Sequence, residues 1–205
     1  MRAYWALEEL GLAYETRPIL PRTPGMQDAA FLAVSGRGKV PILQEDDRVV
    51  GESAAIVLYL ADRYRDAEIR LSPEPGAPER GRFNDLCLFC ATELDATSLY
   101  VIRRHEGLPD VYGASTVACE AAREYFLRQA GELERKLADG RAWLMGDAFS
   151  GADILLVSCI DWASVLGLPL PDALTAHRER AAQRPPYQKA MQINFTPLAE
   201  LARSS

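Results

Sequence analysis

Residues 38–53 constrain the fold of this 205-residue chain more than any other stretch. A short apolar run at 40–43 is followed by four polar residues that suit a tight turn, and the β-branched pair at 49–50 begins a return strand. A run at 54–61 then places apolar side chains on one face of a helix. The stretch therefore predicts a β-hairpin followed directly by a helix.

Four residues in this stretch suggest a binding site. Pro41 stands at a strand start, where proline is tolerated, and an X–Pro bond there can be cis, which turns the backbone of the preceding residue outward. Ser53 opens the helix, where free backbone N–H groups and a hydroxyl suit a carboxylate, and Glu52 beside it suits an ammonium group. Together they fit the α-amino-acid end of a zwitterion, with Lys39 for a second carboxylate. A plain hairpin with a capped helix is the alternative interpretation.

The residues before this stretch predict a helix at 3–10, an edge strand at 13–19 and a short helix at 26–34. With the hairpin and its helix, the order is helix–strand–helix–strand–strand–helix. One further strand in front would complete the order of a thioredoxin-like domain.

A proline-rich segment at 72–78 divides the chain, because three prolines and a glycine can neither continue a helix nor pair in a sheet. We therefore expect one domain at 1–71, a linker at 72–78 and an all-helical domain at 79–205. Ser150 and Asp153 form a predicted capping box before a helix that is apolar nearly all round. Two apolar stripes at helical spacing are predicted to pack in the core: Phe83, Leu86, Cys87, Cys90 and Leu94, and Phe126, Ala130, Leu133 and Leu137.

Composition argues against several classes of function. The net charge is −6 without runs of like charge, so neither nucleic acid nor an anionic membrane is an expected partner. No apolar run approaches the ~20 residues that span a bilayer, no signal peptide is recognisable, and the cysteine spacing suggests a reducing compartment, so we expect a cytoplasmic protein. Cys87 and Cys90 are spaced like a redox pair but lie inside a helical pattern, which argues against that role. With 2 histidines in the chain, no metal site is expected.

Lys39, Val40 and Pro41, followed at matching spacing by Glu52 and Ser53, resemble the glutathione-binding motif of the glutathione transferases. The resemblance covers most of residues 3–191. Three other segments are also similar to that family: the first helix at 4–12, the capping-box segment at 146–153, and the Arg-Pro-Pro-Tyr sequence at 184–187.

The resemblance implies what these residues do. The backbone of Val40 would pair with the cysteinyl part of glutathione, and Glu52 and Ser53 would hold its γ-glutamyl end. Family members usually form homodimers. An electrophile pocket is expected on the first long helix after the linker, with Tyr100, Arg103 and Arg104 as candidates; that these three are ordinary surface residues is equally plausible.

The sequence also departs from the pattern of this family in one respect. In the family a Tyr, Ser or Cys after a first strand activates the glutathione sulfur, and by alignment this residue would fall before Met1. No catalytic residue is therefore assigned, and Tyr4, inside the first helix, is a poor substitute. Either the true start lies upstream, or the protein is a degenerate member. Without the first strand, the predicted strand at 13–19 loses its neighbour.

The leading hypothesis is a glutathione transferase of the detoxification type, with glutathione as co-substrate and a small electrophile whose identity the sequence does not give. The alternatives are a non-catalytic binding or scaffold protein of the same fold, and a glutathione-dependent isomerase or dehalogenase, because a fold does not fix its chemistry.

Overall fold

The computed structural model describes residues 1–204, with side chains described for residues 1–196. The chain divides into two compact units. The N-terminal unit comprises Met1–Ser72 and Arg184–Ser205, and the helical unit comprises Pro73–Gln183. The predicted class, a thioredoxin-like domain with few strands followed by a helical domain, is confirmed.

The N-terminal unit is built around a two-stranded antiparallel hairpin. The helix that follows the hairpin packs against both strands and against the first helix, which also packs against the last one. The fully or nearly fully buried side chains of this core include Trp5, Ala6, Ile56, Val57 and Leu60. The elements of this unit are α1 (Arg2–Glu9), a 3₁₀ turn (Pro24–Gln27), α2 (Ala29–Ser35), β1 (Ile42–Glu45), β2 (Arg48–Gly51), α3 (Ser53–Arg63) and, at the end of the chain, α10 (Pro185–Ser204).

The predicted strand at 13–19 is wrong, because residues 12–20 have no regular secondary structure. A strand needs a hydrogen-bonded neighbour, and within the described residues β1 and β2 pair with one another alone. The predicted helix at 26–34 is shifted to Ala29–Ser35. Asp28 sets its start, because the Asp28 carboxylate accepts the backbone N–H groups of Ala30 (2.9 Å) and Phe31 (3.1 Å).

The last helix, α10, belongs to the N-terminal unit, although the sequence-based division assigns it to the domain at 79–205. Arg184 makes a two-bond ion pair with the buried Glu9 of α1, with Nε–Oε1 at 2.7 Å and Nη2–Oε2 at 2.6 Å. Tyr187 packs edge-on against Trp5 with ring centroids 4.9 Å apart. These contacts join residues far apart in the chain. In sequence α10 follows the helical domain, but it packs within the N-terminal unit.

The helical unit is organised around the predicted apolar helix α8 (Gly151–Val165), in which 10 of the 15 residues are buried, whereas Val165 at its end is 84% exposed. The helix packs against α4 (Glu79–Phe89), α9 (Asp172–Ala182) and the π-helical stretch Cys90–Leu99. Both predicted apolar stripes are buried. The elements are α4 (Glu79–Phe89), the π-helical Cys90–Leu99, α5 (Tyr100–Ile102), the π-helical Arg103–Gly107, α6 (Pro109–Tyr112), α7 (Thr116–Leu137), α8 (Gly151–Val165) and α9 (Asp172–Ala182).

The predicted capping box stands at the start of α8. The Ser150 N–H and hydroxyl both donate to Asp153 Oδ2, at 2.9 Å and 2.8 Å. Asp153 also accepts the Leu144 N–H at 2.9 Å, which ties the preceding loop to the helix. That loop contains the sole strand-like pairing described after Pro78, an isolated bridge between Trp143 and Gly146.

Candidate functional site

The open end of the hairpin brings the two halves of the predicted glutathione motif together. Antiparallel pairing of Ile42 with Gly51 places the residues before Ile42 beside the residues after Gly51. Pro41 and Glu52 therefore lie at neighbouring strand ends, with Ser53 directly beyond at the first position of α3.

The backbone at residues 39–41 is held in place and has hydrogen-bonding groups available. The Val40–Pro41 peptide bond is cis. Among the described residues, the N–H and C=O groups of Val40 have no hydrogen-bond partner. Ser35, a buried residue that the sequence analysis did not single out, fixes Lys39: its hydroxyl accepts the Lys39 N–H at 3.0 Å and donates to the Lys39 carbonyl at 3.3 Å.

Glu52 and Ser53 form a strained helix start. Glu52 has φ +65°, a conformation that costs of the order of 1 kcal/mol or more for a residue with a side chain and that often occurs at binding sites. The first N–H groups of α3 have no partner inside the helix, so they are suited to an anion. Arg2 adds a positive charge here, because its Nη1 donates to the Ser53 hydroxyl at 3.2 Å.

Arg37 is a residue of this region that the sequence analysis missed. Its Nη1 lies 3.2 Å from Glu52 Oε1, with the two side chains 60% and 68% exposed. A Cβ on Gly51 would lie 2.8 Å from Arg37 Nη2, so the guanidinium passes close to the glycine backbone. Such an exposed pair is worth about 0–1 kcal/mol, so another cation can displace the guanidinium at low cost.

A positively charged cleft of about 830 Å³ opens beside Lys39. Its three cationic residues are Arg22, Arg37 and Lys39; Glu52 and Ser53 do not line it. The signal in the sequence is the Gly-Arg-Gly at 36–38, where both glycines have positive φ (+64° and +58°) and let the chain turn sharply around Arg37. The remaining lining residues are Thr23, Pro24, Met26, Gln27, Leu32, Gly36 and Gly38.

The three electrophile-pocket candidates lie together in the helical unit. The guanidinium carbons of Arg103 and Arg104 lie 5.3 Å and 4.8 Å from the centre of the Tyr100 ring. The Tyr100 ring in turn meets the edge of Trp162, with centroids 6.4 Å apart. Tyr4, considered above as a substitute nucleophile activator, lies in α1 with its ring 6.1 Å from that of Tyr14.

The four cysteines are all buried. Burial, and to a lesser extent the nearby Asp153 carboxylate, raise the pKa of the Cys87 thiol to about 12. A thiol with so high a pKa is almost wholly protonated at neutral pH and is a poor nucleophile. Both cysteines thus lack the exposure of a redox site, and Cys87 lacks its thiolate character.

We expect the native protein to resist thiol labelling. With Ellman's reagent at pH 8, the folded chain should release thionitrobenzoate slowly, whereas all 4 cysteines should react at once in denaturant. The variant V117C, with a cysteine at a position that is 78% exposed, is the positive control and should label one thiol rapidly in the folded state. Rapid labelling of the unmodified folded chain would contradict the burial described here.

No helix in the described part of the chain is long and apolar enough to cross a membrane. Within the same residues, no group of three or more histidine, cysteine, aspartate or glutamate side chains is placed to hold a metal ion.

Family comparisons agree with the fold. Residues 1–63 match the model for the N-terminal domain of glutathione S-transferase, and residues 85–185 match the model for its C-terminal domain. The chain belongs to the glutathione S-transferase family.

Three similar proteins illustrate the range of this family. Glutathione S-transferase 1 of Schizosaccharomyces pombe is 31% identical over 78% of this chain and 69% of its own length. The solved structure of a sphingomonad glutathione S-transferase in complex with glutathione is 28% identical, covers 95% of this chain and 94% of that one, and has a TM-score of 0.79. Maleylacetoacetate isomerase of Pseudomonas aeruginosa is 29% identical over 92% of this chain and 89% of its own length.

Proposed function

We propose that the protein binds glutathione at the open end of the hairpin and transfers its thiolate to a small electrophile. The observation that carries this proposal is the meeting of the Val40 backbone groups, which have no partner in the described residues, with the start of α3 at Ser53. The glutathione complex of the sphingomonad relative supports it, because that protein shares the fold over nearly its whole length.

Each end of glutathione has a partner of matching chemistry in this proposal. The γ-glutamyl carboxylate binds the Ser53 hydroxyl and the N–H groups at the start of α3, near the Arg2 guanidinium. The α-ammonium binds Glu52 in place of Arg37, whose exposed ion pair is weak. The cysteinyl part pairs with the Val40 backbone, and the glycyl carboxylate binds Lys39 beside the cationic cleft.

The chemistry is the formation of a carbon–sulfur bond. A thiol with a pKa near 8.5 is mostly protonated at neutral pH, and the thiolate is the form that attacks. In a substitution the leaving group departs with the electron pair of the bond that breaks, and the thiol proton passes to solvent. Residues 39–41, 52 and 53 have the role of binding and orienting glutathione, which raises the effective concentration of its sulfur at the electrophile.

An isomerase that uses glutathione is the second candidate, favoured by the similarity to maleylacetoacetate isomerase. A non-catalytic glutathione-binding protein is the third. All three predict the same ligand site, and assays for conjugation and for isomerisation on a glutathione-binding preparation separate them. We further propose that the protein works as a homodimer, as the family resemblance implies, and in the cytoplasm, as the cysteine spacing suggests.

The test is a calorimetric titration of glutathione into the protein and into matched variants. Losing a hydrogen bond to a charged group costs roughly 1.5–3 kcal/mol, so Glu52→Gln should weaken binding by about tenfold or more. Ser53→Ala keeps its backbone N–H and should lose less affinity for glutathione. Asp47→Asn removes the same charge from the exposed hairpin turn and should leave the affinity unchanged.

Two outcomes of this titration would contradict the proposal. Equal affinity of glutathione for the unmodified protein, Glu52→Gln and Ser53→Ala would place the ligand elsewhere. An absence of glutathione binding to the unmodified protein would exclude both the transferase and the alternatives that depend on glutathione.

A further inference from the structure

Two arginines of the helical unit share one aromatic ring. Arg103 and Arg104 both stack on Tyr100, and the Arg104 guanidinium carbon also lies 5.2 Å from the centre of the Tyr112 ring. The Arg104 guanidinium is thus stacked on two tyrosines, while a second guanidinium lies against one of them.

The charges of these arginines are not compensated by acidic side chains. Within the described residues, neither Arg103 nor Arg104 has a carboxylate partner. Glu106, on the same turn, is paired with Arg123 of α7, with Nη2–Oε2 at 2.7 Å. The acid nearest in sequence is therefore already bound, and the cluster keeps two positive charges.

A guanidinium that stacks on a ring keeps its N–H donors available for hydrogen bonds. Cation–π contacts engage its flat face, whereas its five N–H donors point outward in the plane and suit the two oxygens of a carboxylate. The tyrosine rings offer flat apolar surface beside these donors: Tyr100 is supported by Trp162, and Tyr112 is 44% exposed. A flat ligand with an acidic group matches both features.

We propose that Arg103 and Arg104, with Tyr100 and Tyr112, bind the carboxylate of a flat aromatic or conjugated acid. This proposal goes beyond the proposed function and does not depend on it.

A suitable probe is 4-chloro-3-nitrobenzoate, compared with the neutral 4-chloro-3-nitrobenzamide.

The experiment measures the affinity of both probes by calorimetry at fixed low ionic strength, for the unmodified protein, R103Q, R104Q and R104K. The control is R128Q: Arg128 also stacks on a tyrosine, at 4.9 Å from the Tyr125 ring, but the Tyr125 hydroxyl is bonded to the Glu93 carboxylate. We expect the acid to bind about tenfold or more tightly than the amide, and R103Q and R104Q each to weaken acid binding by about tenfold. R104K should retain part of the preference for the acid over the amide, and R128Q should retain all of it. Thermal melts check that the variants remain folded.

Several results would overturn the inference: equal affinity for the acid and the amide, no binding of either probe, or an R128Q effect as large as that of R104Q. A parallel glutathione titration separates this inference from the proposed function. Glutathione binding without a preference for the acid overturns the inference alone. A preference for the acid that depends on both arginines, without glutathione binding, supports the acid site and contradicts the proposed transferase.

Discussion

Replacing Arg184 with methionine is expected to lower the free energy of unfolding by about 3 kcal/mol, because it leaves a buried carboxylate without its cation. The Glu9 side chain is 1% exposed, and Arg184 supplies two of the hydrogen bonds to its carboxylate. The Trp5 indole N–H, at 2.8 Å from Oε1, remains and limits the loss. The measurement is equilibrium denaturation in urea, followed by tryptophan fluorescence.

An ion pair between α1 and α10 provides the control. Lys189 lies 2.8 Å from Glu8 with a side chain that is 63% exposed, and Glu8 also accepts the Tyr14 hydroxyl. Lys189→Met should therefore cost less than about 1 kcal/mol. If the two variants lost the same stability, Arg184 would be acting as a surface charge and the described packing of α10 on α1 would be contradicted.

Replacing Asp153 with alanine is expected to lower the free energy of unfolding by about 4 kcal/mol, because the change leaves two buried backbone N–H groups without an acceptor. The Asp153 side chain is fully buried and accepts the N–H groups of Leu144 and Ser150. Each buried donor left without a partner costs roughly 1–3 kcal/mol. Thermal and urea denaturation of the variant measure this loss.

Ser150→Ala is the matched comparison, since it removes the cap hydroxyl and keeps both backbone bonds to Asp153. Its expected cost is about 1 kcal/mol. The double variant should lose less than the sum of the two single losses, because the Ser150 hydroxyl donates to Asp153. Equal losses for Ser150→Ala and Asp153→Ala would mean that the carboxylate is not the centre of the cap.

Sequence patterns predicted the features that depend on neighbours along the chain. The hairpin and the start of α3 at Ser53 follow from a local alternation of apolar, turn and helix-forming residues, and both are present. The buried stripes at 83–94 and 126–137 follow from helical periodicity, which fixes the face that a helix buries. The capping box at Ser150 and Asp153 is a contact over three residues.

Contacts between distant residues were not predictable in this way. The Arg37–Glu52 pair beside the motif, and the meeting of Arg104 with Tyr112, each depend on how the backbone turns between them. In an unfolded chain a guanidinium can reach many carboxylates and aromatic rings. Which of them it contacts in the folded protein depends on small free-energy differences that local sequence does not encode. The motif thus predicted the proposed glutathione site, while Arg37 and the cationic cleft were seen only in the folded structure.

The sequence by itself determined the class of the fold, the hairpin with its Lys39–Ser53 motif, and the helices that form the core of the second half. Tertiary structure alone decided that residues 13–19 form no strand and that α10 packs on α1 through Arg184 and Glu9. The physical reason is that helices and turns are stabilised by groups a few residues apart, whereas a strand and an ion pair require partners from elsewhere in the chain, and those partners are brought together only when the chain folds.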